Sequence, residues 1–293
     1  MSTSTTIRVV TQRNWMVDEL RAAMAGSGWT VQQHYGLSAP PADGAVTWMP
    51  GAFAARLHHQ GLCPRLSSPG GALLSLMPHE LTGREVALFP AALAMLEPSE
   101  GFWKLADSKD DRFPAAWRTA DQLAADLAAA QIPPAAMLHL TDVRLDLVAE
   151  HRAVVVGQTV LTGSFYTDLS GRPHDDPSFA QPAAAGRART AATGFASEVV
   201  SRLHALGLTG PPSYTLDVGL DRISGQWVVV EANPIWSSAW YGSNPTLFVT
   251  ALITDQMTDP GIWEWKPDPV LSERVARMRP LPLDRPAAAH QGP

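Results

Sequence analysis

The residues with the most chemical content stand at the end of an apolar run. Gln226-Trp-Val-Val-Val-Glu231-Ala-Asn233-Pro234 places a glutamate and an asparagine two residues apart, and Asp217 follows Ser213-Tyr-Thr-Leu upstream. Both runs read as strands flanking the turn-like Asp221-Arg-Ile-Ser-Gly225, so an antiparallel hairpin is expected. Side chains alternate along a strand, which puts Glu231 and Asn233 on one face. A three-residue loop pairs Asp217 with Val229, and a five-residue loop pairs it with Glu231. In either register Asp217 shares that face, opposite Glu231 or one diagonal step of about 7–8 Å away. Two carboxylates so close repel unless a cation lies between them. A hard divalent ion accepts such oxygen ligands, and Mg2+ does so when a nucleotide supplies phosphate oxygens. The bland alternative is a pair of solvated strand-edge acids.

A phosphate site also needs cations. Lys104 interrupts the apolar strand Gly101-Phe-Trp-Lys-Leu, and Lys109 follows in the polar segment Ala106-Asp-Ser-Lys-Asp-Asp-Arg. A strand lysine with a loop lysine behind it covers phosphates from two sides; the alternative is a snorkelling Lys104 and a solvated Lys109. Glu150-His-Arg152 puts an acid and a base on one face of a strand. Either they pair with each other, or Arg152 meets phosphate, which its planar fork suits, while Glu150 orients a lysine.

The elements that must position these groups follow from pattern. Ile7–Val10 reads as a first strand, 15–25 as a helix capped by Asn14, and 29–34 as a second strand, together a small α/β lobe. Residues 38–80 are rich in Gly, Pro and Ser and give no assignment. Residues 85–96 read as a helix, 120–130 as another, 137–140 as a short strand, and 145–156 and 158–166 as strands. A polar loop is expected over 171–186, helices over 187–206 and 248–257, and a Pro-rich, mobile tail at the end. The expected division is a lobe over 1–84, a second domain over 85–265 and the tail over 266–293.

Composition narrows the function classes. With 293 residues, 45% of them hydrophobic and 17% charged, the chain has material for a sizeable core. Its net charge of −6 and lack of Lys/Arg clusters argue against nucleic acid. Its 10 tryptophans are therefore assigned to core or pocket rather than to base stacking. The single cysteine, Cys63, allows no intramolecular disulfide and is read as a small buried hydrophobe. No window approaches the roughly 18 apolar residues of a membrane span, and the N-terminal segment lacks an apolar signal core. The expected location is cytoplasmic, without membrane contact. Zinc motifs, the phosphate-binding Gly-rich loop and the G-x-S-x-G elbow are all absent.

Taken in order, Phe102-Trp-Lys104 with Lys109, Val148-Ala-Glu150-His-Arg152-Ala-Val-Val-Val-Gly157, Ser213-Tyr-Thr-Leu-Asp217-Val-Gly219 and Val230-Glu231-Ala-Asn233-Pro234 resemble the ATP-grasp superfamily. The resemblance is strongest to the clade named for one arginine and two lysines, over roughly residues 85–260. It implies an α+β fold, two α+β lobes clasping ATP, preceded by a small α/β pre-grasp domain. Lys104 and Lys109 would contact ATP phosphates and the adenine side of the cleft. The segment 139–142, from His139 to Asp142, would form a hinge giving backbone hydrogen bonds to adenine, with Asp142 reaching the ribose. Glu150 would line the nucleotide site, Arg152 would bind phosphate, and Asp217, Glu231 and Asn233 would hold Mg2+. Lys104, Arg152 and Glu231 would be the catalytic groups.

The implied activity is ligation: a substrate carboxylate, small-molecule or peptide, is activated as an acyl phosphate and joined to an amine or other nucleophile. A kinase-like phosphotransferase and a non-catalytic ATP-binding or interaction module are the alternatives. One departure stands out. Many members of the superfamily carry an arginine just after Asn-Pro, where this chain has Ile235, followed by Trp236-Ser-Ser-Ala-Trp240-Tyr. Trp236, Ser237, Ser238 and Tyr241 are therefore candidates either for an aromatic, hydroxyl-lined acceptor pocket or for packing beneath the site.

Overall fold

The computed structural model describes residues 5–96, 99–167, 173 and 185–283, and within them the chain builds three sheets in succession. The first lobe contains β1 (Thr6–Val10), α1 (Asn14–Ala23), β2 (Thr30–His34), β3 (Val46–Trp48) and α2 (Gly51–His59). Its three strands are parallel in the order β2-β1-β3. The β-branched run of β1 is buried on both sides, as a central parallel strand must be. Asn14 does not cap α1. Its side chain instead accepts a hydrogen bond from Gln33 Nε2 at 3.0 Å, and the helix begins after Arg13 with no side-chain cap.

Next come α3 (Gly70–Ser75) and α4 (His79–Thr82), whose Leu73, Leu74 and Leu81 are buried with the core of the third sheet; the second lobe proper contains β4 (Val86–Pro90), α5 (Ala91–Leu96), β5 (Gly101–Leu105), β6 (Ala116–Arg118), α6 (Ala120–Ala129) and β7 (Met137–Thr141). Its antiparallel sheet runs β4-β7-β5-β6. The helix expected over 85–96 is a strand and a short helix. Val86 to Pro90 is an apolar stretch whose period does not separate strand from helix, and pairing with β7 settles it. Along β5, Trp103 and Leu105 enter the core while Phe102 and Lys104 turn to the opposite face.

The third lobe contains β8 (Leu147–Val156), β9 (Thr159–Thr167), α7 (Ala185–Ala205), β10 (Ser213–Asp221), β11 (Trp227–Pro234) and α8 (Pro245–Met257), and α9 (Pro269–Ala276) returns to pack on α2 of the first lobe. The antiparallel order is β11-β10-β8-β9. Ala153 and Val155 pack towards α7 on one face. Val154 packs with Phe248 of α8 and the first lobe on the other. The expected loop over 171–186 lies outside the described residues except for 173, 185 and 186.

The tail expected from 266 differs from expectation as far as it is described. Helix α9 is capped by Asp268, whose side chain accepts from the amides of Val270 and Leu271. Val270 is buried in the second lobe's core and Leu281 in the first lobe's. Residues beyond 283 lie outside the described ones. Among the described residues no helix is long and apolar enough to cross a membrane.

Candidate active site

The acidic hairpin is β10 and β11. Residues 222–226 lie between the strands, a five-residue loop, and the ladder pair nearest the turn is Leu220 opposite Trp227. Asp217 stands directly opposite Glu231, as expected for that loop length, with the register shifting by one residue between Asp217 and Val218. On its other side Asp217 faces Arg152 of β8. Arg152, Asp217 and Glu231 thus form a row across one face of the sheet, with Asn233 in the next row.

Hydrogen bonds link this row without a gap. Arg152 donates to both oxygens of Asp217, at 2.7 Å from Nε and 2.6 Å from Nη2. Asn233 Nδ2 bridges the acids, 3.2 Å from Asp217 Oδ2 and 3.0 Å from Glu231 Oε1. Glu231 then meets the second lobe: Lys104 Nζ lies 3.3 Å from Oε2, and Lys109 Nζ lies 3.9 Å from Oε1. Burial pushes the Glu231 carboxyl up, but Lys104, Lys109 and Asn233 outweigh it and hold it at about 2. Asp217 is fully buried. Burial raises its carboxyl while the bidentate guanidinium opposes, and Asp217 in turn holds Arg152 above its ordinary value against burial. The two-point contact is that of an ion pair.

Around Arg152 the site is aromatic. The guanidinium lies 5.4 Å from the Tyr166 ring centroid and 5.2 Å from that of Tyr241, and the two rings stack at 5.2 Å. Tyr241 adopts φ 49°, a left-handed conformation unusual for a bulky residue and found where surrounding structure enforces it. Tyr166 donates to Glu150 Oε2 at 2.6 Å, and Thr167 donates to Oε1 at 3.4 Å. Glu150 therefore pairs with hydroxyls, neither with Arg152 nor with a lysine. Burial raises its carboxyl, and the Tyr166 hydroxyl works against that.

His139 lies inside β7, paired with Leu88 on one side and Lys104 on the other. Strands flank its backbone on both edges, so it does not offer the hinge hydrogen bonds expected of it. Its ring Nε2 lies 2.8 Å from the Gly71 carbonyl and so carries the proton; burial holds the imidazole down at about 4. Asp142 follows the strand, exposed, and accepts from the Glu85 amide at 3.0 Å. The link between the second and third lobes is 142–146, which shares only Asp142 with the segment the sequence suggested.

All four acceptor-pocket candidates line the cleft between the lobes, two of them with their polar atoms bonded to backbone. Trp236 is buried and donates to the Ser67 carbonyl at 2.7 Å; Ser238 is buried and donates to the Pro234 carbonyl at 2.8 Å. Ser237 and Tyr241 are partly exposed along the cleft.

A cleft of about 1560 Å³ runs between the lobes, lined by Lys104, Lys109, His139, Arg152, Glu231 and Asn233 but not by Asp217. Three contributors were not legible in sequence. Arg84 is buried and donates to the carbonyls of Thr82, Val229 and Val230. Asp107 accepts from the Gly71 amide at 2.6 Å, tethering the Lys109 loop to α3. Ser108 ties the same loop to Asp268 at 3.2 Å. Each is a contact across long sequence separation, for which local pattern holds no signal.

A family model for an ATP-grasp domain, family 3 of the clade named for one arginine and two lysines, matches residues 69–252. No curated protein matches the chain. Among solved structures, the RimK domain protein ATP-grasp from Sphaerobacter thermophilus DSM 20745 is similar at 17% identity and TM-score 0.46, over 86% of this chain and 97% of that one. D-cycloserine synthetase is similar at 13% identity and TM-score 0.45, over 84% and 98%. D-alanyl-alanine synthetase A from Vibrio cholerae O1 biovar eltor str. N16961 is similar at 11% identity and TM-score 0.43, over 88% and 99%.

Proposed function

The chain belongs to family 3 of the ATP-grasp clade named for one arginine and two lysines, with the α+β fold of that superfamily, and on that premise we propose that it is an ATP-dependent carboxylate–amine ligase releasing ADP. One observation carries the reading: Glu231 is held between two lysines of one lobe and the Asn233–Asp217–Arg152 chain of the other, on the floor of the interlobe cleft. These are the charges a nucleotide's phosphates and their counter-ion would exchange with. The cleft, at about 1560 Å³, exceeds the roughly 300–1,000 Å³ of an ordinary small-molecule site, which suits a nucleotide together with a second substrate.

In this reading the carboxylate oxygen of the acid attacks the γ-phosphorus. The bond from that phosphorus to the bridging oxygen breaks, and ADP leaves. The amine nitrogen then attacks the acyl carbon, the carbon–oxygen bond to phosphate breaks, and the amine proton passes to solvent. Lys104 and Lys109 let go of Glu231 to hold phosphate oxygens, and Arg152 offers positive charge from the opposite lobe. The chain contributes positioning and charge neutralisation, so no protein nucleophile is required.

The donor set fits Mg2+. Glu231 is ionised and reaches the cleft, and the Asn233 amide can turn its oxygen to the same side. Asp217 joins them only if Arg152 or Asn233 gives up one of its oxygens. Bound there, the ion would neutralise charge on the β- and γ-phosphate oxygens. Among the described residues no group of three or more His, Cys, Asp or Glu is arranged to hold a metal.

The test is ADP release across panels of acids, with hydroxylamine as the nucleophile. An acyl phosphate converts to a hydroxamate, so the ligase reading expects acid-dependent ADP release with hydroxamate formed. A stable phosphorylated product without hydroxamate would replace it with the kinase-like alternative. ATP binding without turnover under any acid would favour the non-catalytic one.

A further inference from the structure

The ladder between β10 and β11 is regular near the turn, with Leu220 opposite Trp227, Gly219 opposite Val228 and Val218 opposite Val229. Continued unbroken, it would put Val230 opposite Asp217. Glu231 and Asn233 would then point to the other face of the sheet, because a one-residue shift exchanges faces. Instead Asp217 faces Glu231, and Val230 is the extra residue of a β-bulge. A bulge leaves backbone groups unpaired, and among the described residues β11 is an edge strand with no further strand to take them.

Arg84 takes them. Nη1 donates to the Val229 carbonyl at 3.0 Å and Nη2 to the Val230 carbonyl at 3.1 Å. Successive carbonyls of a regular strand point to opposite edges, so one guanidinium reaching both is a mark of the bulge. The remaining bond, to the Thr82 carbonyl at 2.9 Å, anchors the fork to the end of α4. Gly83 makes the approach possible: it ends α4 at φ +65°, and a Cβ there would lie 2.7 Å from Val228 Cγ1. Arg84 is 6% exposed, and each of its three acceptors is a backbone oxygen.

We propose that Arg84 is a positioning residue that pins the Val230 bulge and so selects the register in which Glu231 and Asn233 join Asp217 on the cleft face. The consequence for turnover rests on the ligase reading; the consequence for register does not.

The test combines Arg84→Met with deletion of Val230. Removing Val230 from an unbroken ladder brings Glu231 opposite Asp217 with no bulge to pin. Two readouts are taken: cross-strand backbone NOEs from Asp217 in selectively labelled protein, and acid-dependent ADP release. In the native chain the NOEs run to Glu231. In Arg84→Met they move to Val230, and turnover falls by about 100-fold, the scale of a misplaced site. Arg84→Met with Val230 deleted restores the NOEs to Glu231 and recovers most of the turnover. Should Arg84→Met fail to fold, folding of the double variant with the Glu231 NOEs supports the same conclusion.

The proposal is overturned if Arg84→Met keeps the Asp217–Glu231 NOEs. It is overturned equally if the double variant has the native register but stays inactive, since Arg84 would then act through its charge. It also fails if neither variant folds, which would make Arg84 a general tie between lobes. A native chain without ATP turnover would remove the ligase reading and leave the NOEs to decide the register.

Discussion

At Glu231 the electrostatic compensation is lopsided. Two lysines and an asparagine hold one carboxylate ionised well below the ordinary carboxylate range, against its own burial. Replacing it tests the proposed metal role. Glu231→Ala is expected to cut Mg2+-dependent ADP release by about 100-fold or more while leaving cooperative unfolding in place; an active variant contradicts the assignment. Lys104→Ala removes a charge-assisted contact to phosphate worth about 1.5–3 kcal/mol, so nucleotide affinity, read by calorimetry, should weaken about tenfold or more. Unchanged affinity would leave Lys104 as no more than the partner of Glu231. The residue types and their spacing are readable in the sequence because an acid and an amide at the end of an apolar strand have few bland explanations. Their partners are less so. Sequence puts Glu150 against Arg152 or a lysine, whereas the structure gives it the hydroxyls of Tyr166 and Thr167, which arrive from β9 only after folding.

Among the elements, α9 has a structural consequence its composition conceals. Asp268 caps it and also accepts from Ser108 in the loop that carries Lys109. Asp268→Ala should cost about 1 kcal/mol as a lost cap. It should also speed backbone hydrogen exchange over residues 106–113; unchanged exchange there would show that Asp107 alone holds the loop. Asp268-Pro269 is a helix-start signal, masked by the prolines around it. Over residues 38–80 the cap positions themselves carry no such signal. α2, α3 and α4 follow Pro50, Pro69 and Pro78, which as N-caps offer no side-chain acceptor, and the one polar mark before α3, Ser68 accepting from the Gly70 amide, stands a residue further upstream. The strands of the hairpin are legible from alternation, but its register is not: it depends on a bulge, and the bulge is bonded to Arg84, 145 residues upstream of Val229. β4 reads as helix in sequence because five apolar residues fit either period.

Across the molecule, buried titratable groups set opposing pH dependences. Burial holds His139 and His151 near 4, against an ordinary 6.5. The unfolded chain therefore takes up protons first, and stability falls as pH drops from about 6.5 towards 4. Asp255, buried against Ser67, is pushed up to about 7. The folded state keeps that proton longer than the unfolded one, so this contribution weakens as pH rises from about 4 to 7. His151 packs edge-on against Phe165 at 5.2 Å, and among the described residues neither ring nitrogen has a hydrogen-bond partner. His151→Phe should keep the packing and flatten the acid limb of a denaturation series, and Asp255→Asn should flatten the limb between pH 4 and 7. An unchanged acid limb in His151→Phe would mean the ring titrates as if exposed.

The three lobes meet at one cleft, and the central claim is that ATP is held there between the lysines of β5 and its loop and the acidic hairpin. The most direct measurement is calorimetric titration of the whole chain with a non-hydrolysable ATP analogue, with and without Mg2+, repeated on Asp217→Asn/Glu231→Gln. The account predicts Mg2+-dependent binding that the paired substitution abolishes. Absence of binding in both conditions, or binding indifferent to Mg2+ and to both carboxylates, would contradict it.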